Sequence, residues 1–307
     1  MTCTAPGGLR HSPRVHTIAE TLKAQQGLIR TSQLVDLTAD RAELRRWTRR
    51  LRRLTSGVYA ERDDGDPHLL HRAVLLCLPG VVFRARTALL LHGVPHVDPP
   101  DRLQVYVDQS ADASDRPELE VRRTDLESLT RADVHGLPVV STCRAGVDLA
   151  RELRSRQDGL AILDSVLRAG GSRDELRAEL VPGSRAVRRA RELVELADPR
   201  AESPPESWVR LILHDAGVPA PELQHVVRAS GRVVARLDMA WPEVKLYLEY
   251  DGREAHSSDA AFLRDRRRQN DLLALGWVCL RFTAEDLRSP YLLARRVWAE
   301  LTRLSAA

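Results

Sequence analysis

Lysine is almost missing from this chain. Of its 307 residues only Lys23 and Lys245 are lysine, although Lys and Arg together number 47. Arginine therefore carries nearly all the positive charge, and its planar fork gives phosphate and guanine two parallel hydrogen bonds that an ammonium does not. A GC-rich genome accounts for the overall bias, so local clusters carry more information than the net charge of +4. Cysteine is scarce as well. Cys3, Cys77, Cys143 and Cys279 lie far apart with no CxxC spacing, which argues against a disulfide frame or a cysteine zinc site. No apolar run approaches the roughly 20 residues of a membrane span, and the opening MTCTAPGGLRHSPR lacks the apolar core of a signal peptide. A cytoplasmic protein with no membrane partner is expected. Neither a phosphate-binding loop nor a Ser/His/Asp arrangement supports a sugar- or nucleotide-processing enzyme. What remains is a soluble globular chain, long enough for two or three domains.

Residues 12–62 predict three short helices and a hairpin. VHTIAETLKAQQG has apolar residues at helical spacing, LIRTSQLVDL follows with Thr31 or Ser32 as N-cap, and TADRAELRRWTRRLRRL puts Leu44, Trp47, Leu51 and Leu54 on one face. Arg45, Arg46, Arg49, Arg50, Arg52 and Arg53 cover the rest of that third helix, with no acidic residue among them. SGVYAERDDGD then reads as a strand and turn. Helix, helix, basic helix and β-wing is the order of a winged helix-turn-helix, whose third helix enters the major groove of duplex DNA. A solvated arginine face on a small helical domain is the competing reading. Six like charges so close repel one another unless an anion shares the surface.

Residues 68–185 read as a mixed α/β middle domain: helix, strand and helix over HLLHRAVLLCLPGVVFRARTALLLHGVP, strands at RLQVYVDQS and ELEVRRT, then helices. His71, His92, His96 and His135 have no ligand spacing and read as loop or core residues. A charged helix and a proline-rich linker fill 186–202.

The carboxylates of chemical interest fall in 203–303. SPPESWVRLILHDAG predicts a helix with Ser203 as N-cap and Glu206 in its first turn. VVARLDMAW and VKLYLEYDG predict two strands joined across Pro242 and Glu243. Alternation places Leu237, Met239, Trp241, Leu246, Leu248 and Tyr250 on the inward face and Asp238, Glu249 and Asp251 on the other. A hairpin closing on residues 243 and 244 sets Asp238 opposite Glu249, about 4.5 to 5.5 Å apart at Cβ. Carboxylates so placed destabilise a sheet unless a cation lies between them, and a hard divalent metal, Mg²⁺ or Mn²⁺, is the obvious one. Solvated charges at a sheet edge are the alternative. AFLRDRRRQNDLLALG then predicts a helix with Phe262, Leu272 and Leu273 apolar and Arg264, Arg267 and Arg268 among its cations. WVCLRF is a last strand, and a final helix follows.

RLDMAW, LEYDG and FLRDRRRQNDLLALGWVCLRF together resemble a bacterial domain similar to the very-short-patch-repair (Vsr) endonucleases of the PD-(D/E)XK superfamily. The resemblance implies a restriction-endonuclease-like α/β/α core over 203–303. It also implies Glu206 as the helix-borne acid, Asp238 as the central metal ligand, and Glu249 with Asp251 in place of (D/E)-x-K. Asp251 stands where the superfamily has lysine, and Ala255 where many members have histidine, which leaves His256 as the candidate acid/base. The front half, QQGLIRTSQL to RRLTSGVYA followed by a segment with ALLLHG, is similar to proteins bearing the AbiEi-type antitoxin or regulator winged helix. The whole is thus expected to be an α/β multidomain protein that binds double-stranded DNA through Arg45, Arg46, Arg49, Arg50 and Arg53, aided by Arg264, Arg267 and Arg268. Its metal, held by Asp238, Glu249 and Asp251, would serve phosphodiester hydrolysis. The alternative is a non-catalytic regulator, with a toxin-like protein or a second copy as partner, in which the nuclease fold is only a binding module; the lost lysine favours it.

Overall fold

The computed structural model describes residues 17–61, 65–251 and 259–306. The chain is mixed α/β and divides into two compact units.

The first unit comprises Met1–Phe83, Asp101–Leu129 and Asp133–Pro138. It opens with α1 (Ile18–Ala24), β1 (Leu28–Arg30), α2 (Thr31–Leu37), α3 (Arg41–Arg50), β2 (Arg52–Thr55) and β3 (Val58–Ala60). Thr17 and Glu20 form a reciprocal capping box at α1, which fixes where that short helix starts. The three strands make an antiparallel sheet in the order β1-β3-β2. Ile18, Leu22, Ile29, Leu34 and Leu51 are its shared core, with Leu44 and Trp47 packed against them. Two sequence expectations change here. The third helix stops at Arg50 rather than running through Leu54, because Leu51 turns extended (φ −93°, ψ 146°) and Arg52 and Arg53 pair with Ala60 and Tyr59. The cap of α2 is Arg30, whose N–H is taken by the Gln33 side chain at 2.9 Å, not Thr31 or Ser32. The unit continues with α4 (Leu69–Cys77), β4 (Val82–Phe83), β5 (Leu103–Asp108) and β6 (Leu119–Thr124). β4 runs antiparallel and β6 parallel to β5. The ring of His71 packs against Phe83, and burial pushes its pKa down to about 4.

The second unit comprises Arg84–Pro100, Thr130–Ala132 and Val139–Ala307. It holds α5 (Ala85–Leu91) and the bases of the hairpin β7 (Arg131–Val134) and β8 (Leu137–Val140). Four helices follow: α6 (Thr142–Glu152), α7 (Arg156–Arg168), α8 (Arg173–Ala178) and α9 (Val187–Leu196). A Cβ on Gly146 would come within 2.8 Å of a Val166 methyl, so α6 and α7 pack closely only because that position is glycine. His92 binds the Val140 carbonyl at 2.8 Å and His96 the Glu202 carbonyl at 3.1 Å; both histidines act as structural links.

Then come α10 (Pro204–Asp215), β9 (Glu222–Ala229), β10 (Arg232–Trp241), β11 (Leu246–Tyr250), α11 (Asp259–Ala274), β12 (Val278–Phe282) and α12 (Pro290–Ser305). The strands form one sheet, β12-β11-β10-β9, antiparallel except for β11 and β12, which α11 joins as a parallel crossover. Both faces of this sheet are covered. Met239, Trp241, Leu246, Leu248 and Phe282 pack on α10 and α12, while Leu237, Ala240, Tyr247, Leu272 and Trp277 form a second core. The expected single inward face is therefore corrected at Leu237, which belongs to the opposite core from Met239. Gln224, between the pairs Leu237–His225 and Met239–Leu223, takes a left-handed φ of 54°. Of the apolar residues of α11, Leu272 is turned inward and Leu273 is 71% exposed.

Candidate active site: a carboxylate and arginine cluster on the four-stranded sheet

The register of β10 on β11 is Met239–Leu248, Ala240–Tyr247 and Trp241–Leu246, with the 3₁₀ turn Pro242–Val244 and left-handed Lys245 closing the hairpin. Asp238 precedes Met239 and Glu249 follows Leu248, so both lie just past the end of the β10–β11 pairing. The Asp238 carboxylate accepts the Tyr250 N–H. Burial, then the charges of Glu206, Glu249 and Glu202, push its pKa up to about 6. Asp238 is thus held among three other carboxylates, and among the described residues no basic side chain forms an ion pair with it.

Its neighbours are occupied differently. Glu206, 6% exposed at the start of α10, accepts the Glu202 N–H at 2.9 Å, the Ser203 hydroxyl at 2.6 Å and a Gln224 side-chain N–H at 3.2 Å. These bonds tie the carboxylate to the residues just ahead of its own helix and to β9. Glu249 is gripped by the Arg268 guanidinium, at 2.5 and 3.1 Å on its two oxygens, and Arg281 lies 3.8 Å away. Asp265 holds the other side of Arg268 at 2.8 Å. These carboxylates push the Arg268 pKa further upward, so it stays a fixed cation. Glu202 is paired bidentately with Arg236 at 2.7 and 2.8 Å.

Sequence reasoning found Glu206, Asp238 and Glu249 and missed Glu202, Arg236, Gln224 and Arg281. The parallel register Glu249–Arg281 carries the signal for Arg281, once the pairing of β11 with β12 is known. Nothing in the local sequence marks Glu202. Asp251 does not join the group. Its N–H extends the β11–β12 ladder to Phe282, and its side chain lines a separate cavity of about 540 Å³ with Tyr250, Thr283, Glu285 and Arg288. His256 lies outside the described residues. Lys245 donates to the Leu275 carbonyl at 2.9 Å, capping the end of α11.

Among the described residues no three His, Cys, Asp or Glu side chains form a ready metal-holding group. The donor chemistry nonetheless suits a hard divalent cation: carboxylate oxygens of Asp238 and Glu249, with no counter-charge paired to Asp238 among the described residues. To share a cation with Asp238, Glu249 has to release Arg268.

The arginines expected to meet DNA are mostly free. Arg45, Arg46, Arg49 and Arg50 project from α3 and Arg53 from β2, all exposed. Arg50 stacks over the Trp47 ring at 5.1 Å, and Asp40 caps the helix through the N–H groups of Ala42 and Glu43. Arg264 and Arg267 are exposed on α11, whereas Arg268 turns inward onto Glu249.

Fold and site together define a two-unit α/β protein whose second unit sets a carboxylate–arginine cluster on a mixed, doubly covered sheet. No protein-family profile matches the chain. It is 38% identical over 178 residues to two proteins of Mycobacterium tuberculosis, "Uncharacterized protein MT2308" of strain CDC 1551 and "Uncharacterized protein Rv2248" of strain H37Rv. Each match spans 57% of this chain and 65% of the relative. Among solved structures it is similar to the RV2827C protein from Mycobacterium tuberculosis, with a TM-score of 0.45 and 15% identity over 70% of this chain and 88% of that one. No helix among the described residues is long and apolar enough to cross a membrane.

Proposed function

We propose that this is a DNA-binding protein with a metal-dependent endonuclease in its second unit, hydrolysing DNA phosphodiester bonds. The observation that carries the reading is Asp238, a partly buried carboxylate set among Glu206, Glu249 and Glu202 with no ion-pair partner among the described residues. An unneutralised cluster of this kind costs stability, and function is the usual reason for retaining one. The element order from α10 to β12, with two antiparallel pairs and one parallel crossover, is compatible with the PD-(D/E)XK plan that the sequence resembles. Asp238 and Glu249 would hold Mg²⁺ or Mn²⁺. Such an ion lowers the pKa of its water and neutralises the phosphate. Glu206 fixes the start of α10 beside Asp238, and exposed Arg264 and Arg267 offer contacts to the DNA backbone.

In the first unit, α1 to β3 follow the order of a winged helix-turn-helix with α3 as its recognition helix. The test is incubation of supercoiled plasmid with the full chain in Mg²⁺ or Mn²⁺, beside Asp238→Asn. The wild type is expected to nick it and the variant to lose at least a hundredfold in rate. Equal nicking by both would refute the assignment.

A second reading, a regulator or antitoxin-like DNA-binding protein without catalysis, is favoured by one observation: Arg268 and Arg281 already neutralise Glu249. Both readings require duplex binding by α3. Changing Arg45, Arg46, Arg49 and Arg50 to glutamine is expected to weaken duplex binding at least tenfold at 0.1 M salt. The slope of log K against log[salt] should become shallower by about one unit for each phosphate that is no longer neutralised. An unchanged slope would remove α3 from the interface.

A further inference from the structure

We propose that the outer face of α12 and the cavity at its N-terminal end form a track for single-stranded DNA. Leu293, Ala294, Val297 and Leu301 bury one side of this helix. The other side leaves large groups in solvent: Tyr291 is 73% exposed, Leu292 53% and Trp298 45%. Tyr291, Arg295 and Trp298 recur at intervals of four and three residues and so share one stripe of the helix. Arg296 lies beside them and Arg288 just ahead of the helix, all three arginines being exposed. None of them has an ion-pair partner among the described residues.

The stripe adjoins two hollows near the end of β11. Arg288 lines the cavity of about 540 Å³ that also contains Tyr250 and Asp251. A second hollow of about 600 Å³, lined by Leu292, Arg295 and Arg296, shares the wall residue Glu285 with the first. The acidic groups here are Asp251, Glu285 and Asp286, and Asp286 is committed to the N–H and hydroxyl of Thr283, at 2.7 and 2.9 Å.

Exposed aromatic rings interleaved with arginines suit a nucleic-acid strand, because bases stack on the rings while the cations meet phosphates. Duplex bases are already stacked on one another, so the rings favour a single strand. Tyr, Trp and Arg also mark protein interfaces. A symmetric pairing of two copies through this stripe, however, would bring Arg295 against Arg295 at the two-fold axis, with no acid on the stripe to separate them. The charge therefore favours a polyanion. The inference rests on the DNA-binding reading above for the choice of DNA, and it names the form of DNA that the second unit engages.

The test is fluorescence anisotropy with labelled dT20, rU20 and a 20-base-pair duplex, in EDTA, so that cleavage plays no part. The full chain is compared with Tyr291→Ala/Trp298→Ala and with Arg295→Gln/Arg296→Gln. The aromatic pair is expected to lose at least tenfold in dT20 affinity while duplex affinity changes less than twofold. The arginine pair should weaken dT20 binding with a shallower salt slope. Unchanged dT20 binding in the aromatic variant, an equal loss on duplex, or tighter binding of rU20 would overturn the proposal. So would a change in sedimentation mass in the aromatic variant with dT20 binding intact, which would make the stripe a self-association surface. If the wild type binds duplex but not dT20, this inference fails alone. Binding of neither would end the DNA-binding reading as well.

Discussion

Arg210→Ala is expected to destabilise the second unit by about 3–5 kcal/mol, the range for removing one partner of a buried ion pair. Arg210 lies on α10 and reaches both oxygens of Asp164 on α7, at 2.9 and 2.7 Å, while its other arm donates to the Leu196 carbonyl at the end of α9 at 2.6 Å. Asp164 is 1% exposed and its remaining backbone donor is the Asp198 N–H at 2.7 Å. Truncating Arg210 thus strands a carboxylate and a carbonyl where water has little access. The double variant Asp164→Asn/Arg210→Met removes both charges together and should recover a good part of the loss. Urea unfolding followed by circular dichroism measures both. A single-variant loss below about 1 kcal/mol would mean that this pair does not hold α7, α9 and α10 together.

Asp238→Asn should have the opposite sign. A carboxyl whose folded pKa, about 6, lies above its ordinary value of 3.8 binds its proton more tightly folded than unfolded. Between those two values stability falls as pH rises, and above pH 6 the full penalty for ionisation is present. Asparagine keeps an oxygen for the Tyr250 N–H and carries no charge. The variant should therefore be more stable than wild type at pH 7.5, and the difference should vanish near pH 4. Solvent screening limits the gain to about 1–2 kcal/mol. Added Mn²⁺ should narrow the gap, because only the wild type offers that carboxylate to a cation. Thermal unfolding across pH, with and without Mn²⁺, reads all three effects. A less stable variant at pH 7.5 would show that the hydrogen-bonding role of Asp238 outweighs its repulsion.

These two predictions differ in how far the sequence anticipated them. The strand pattern around Asp238 was legible because DMAW and LYLEY alternate and are separated by a short turn with Pro242, and a hairpin register follows from turn position. The paired register found in the structure is the one that turn implies. Much of the helix and strand inventory was legible for the same reason: caps, glycines and periodicity act over a few residues. The pair of Asp164 with Arg210 was not. Its partners are 46 residues apart and sit on helices whose sequences mark each of them only as a charge on a polar face.

Local periodicity failed where tertiary contacts competed with it. Leu51 had helical spacing, yet burying it in the core of α1, β1 and α2 required the chain to leave the helix after Arg50. Leu237 kept strict alternation with Met239 in sequence, yet the two side chains end in opposite cores. Asp251 was expected beside Asp238, yet it follows β11, bonds its N–H to the Phe282 carbonyl and lines a cavity with Thr283, Glu285 and Arg288.

By itself the sequence determined the charge distribution of this protein. Two lysines, arginine-dense helices and carboxylates at 206, 238, 249 and 251 could be read before any fold was known, since composition and short-range spacing are properties of the chain alone. The tertiary structure decided which of those charges meet. Arg268 went to Glu249 instead of outward, Glu206 went to its own helix start, and Asp238 was left among acids with no base beside it among the described residues. Such pairings depend on distances between elements far apart in sequence. Electrostatic and hydrogen-bond energies fall off within a few ångströms, so only the packed chain sets them.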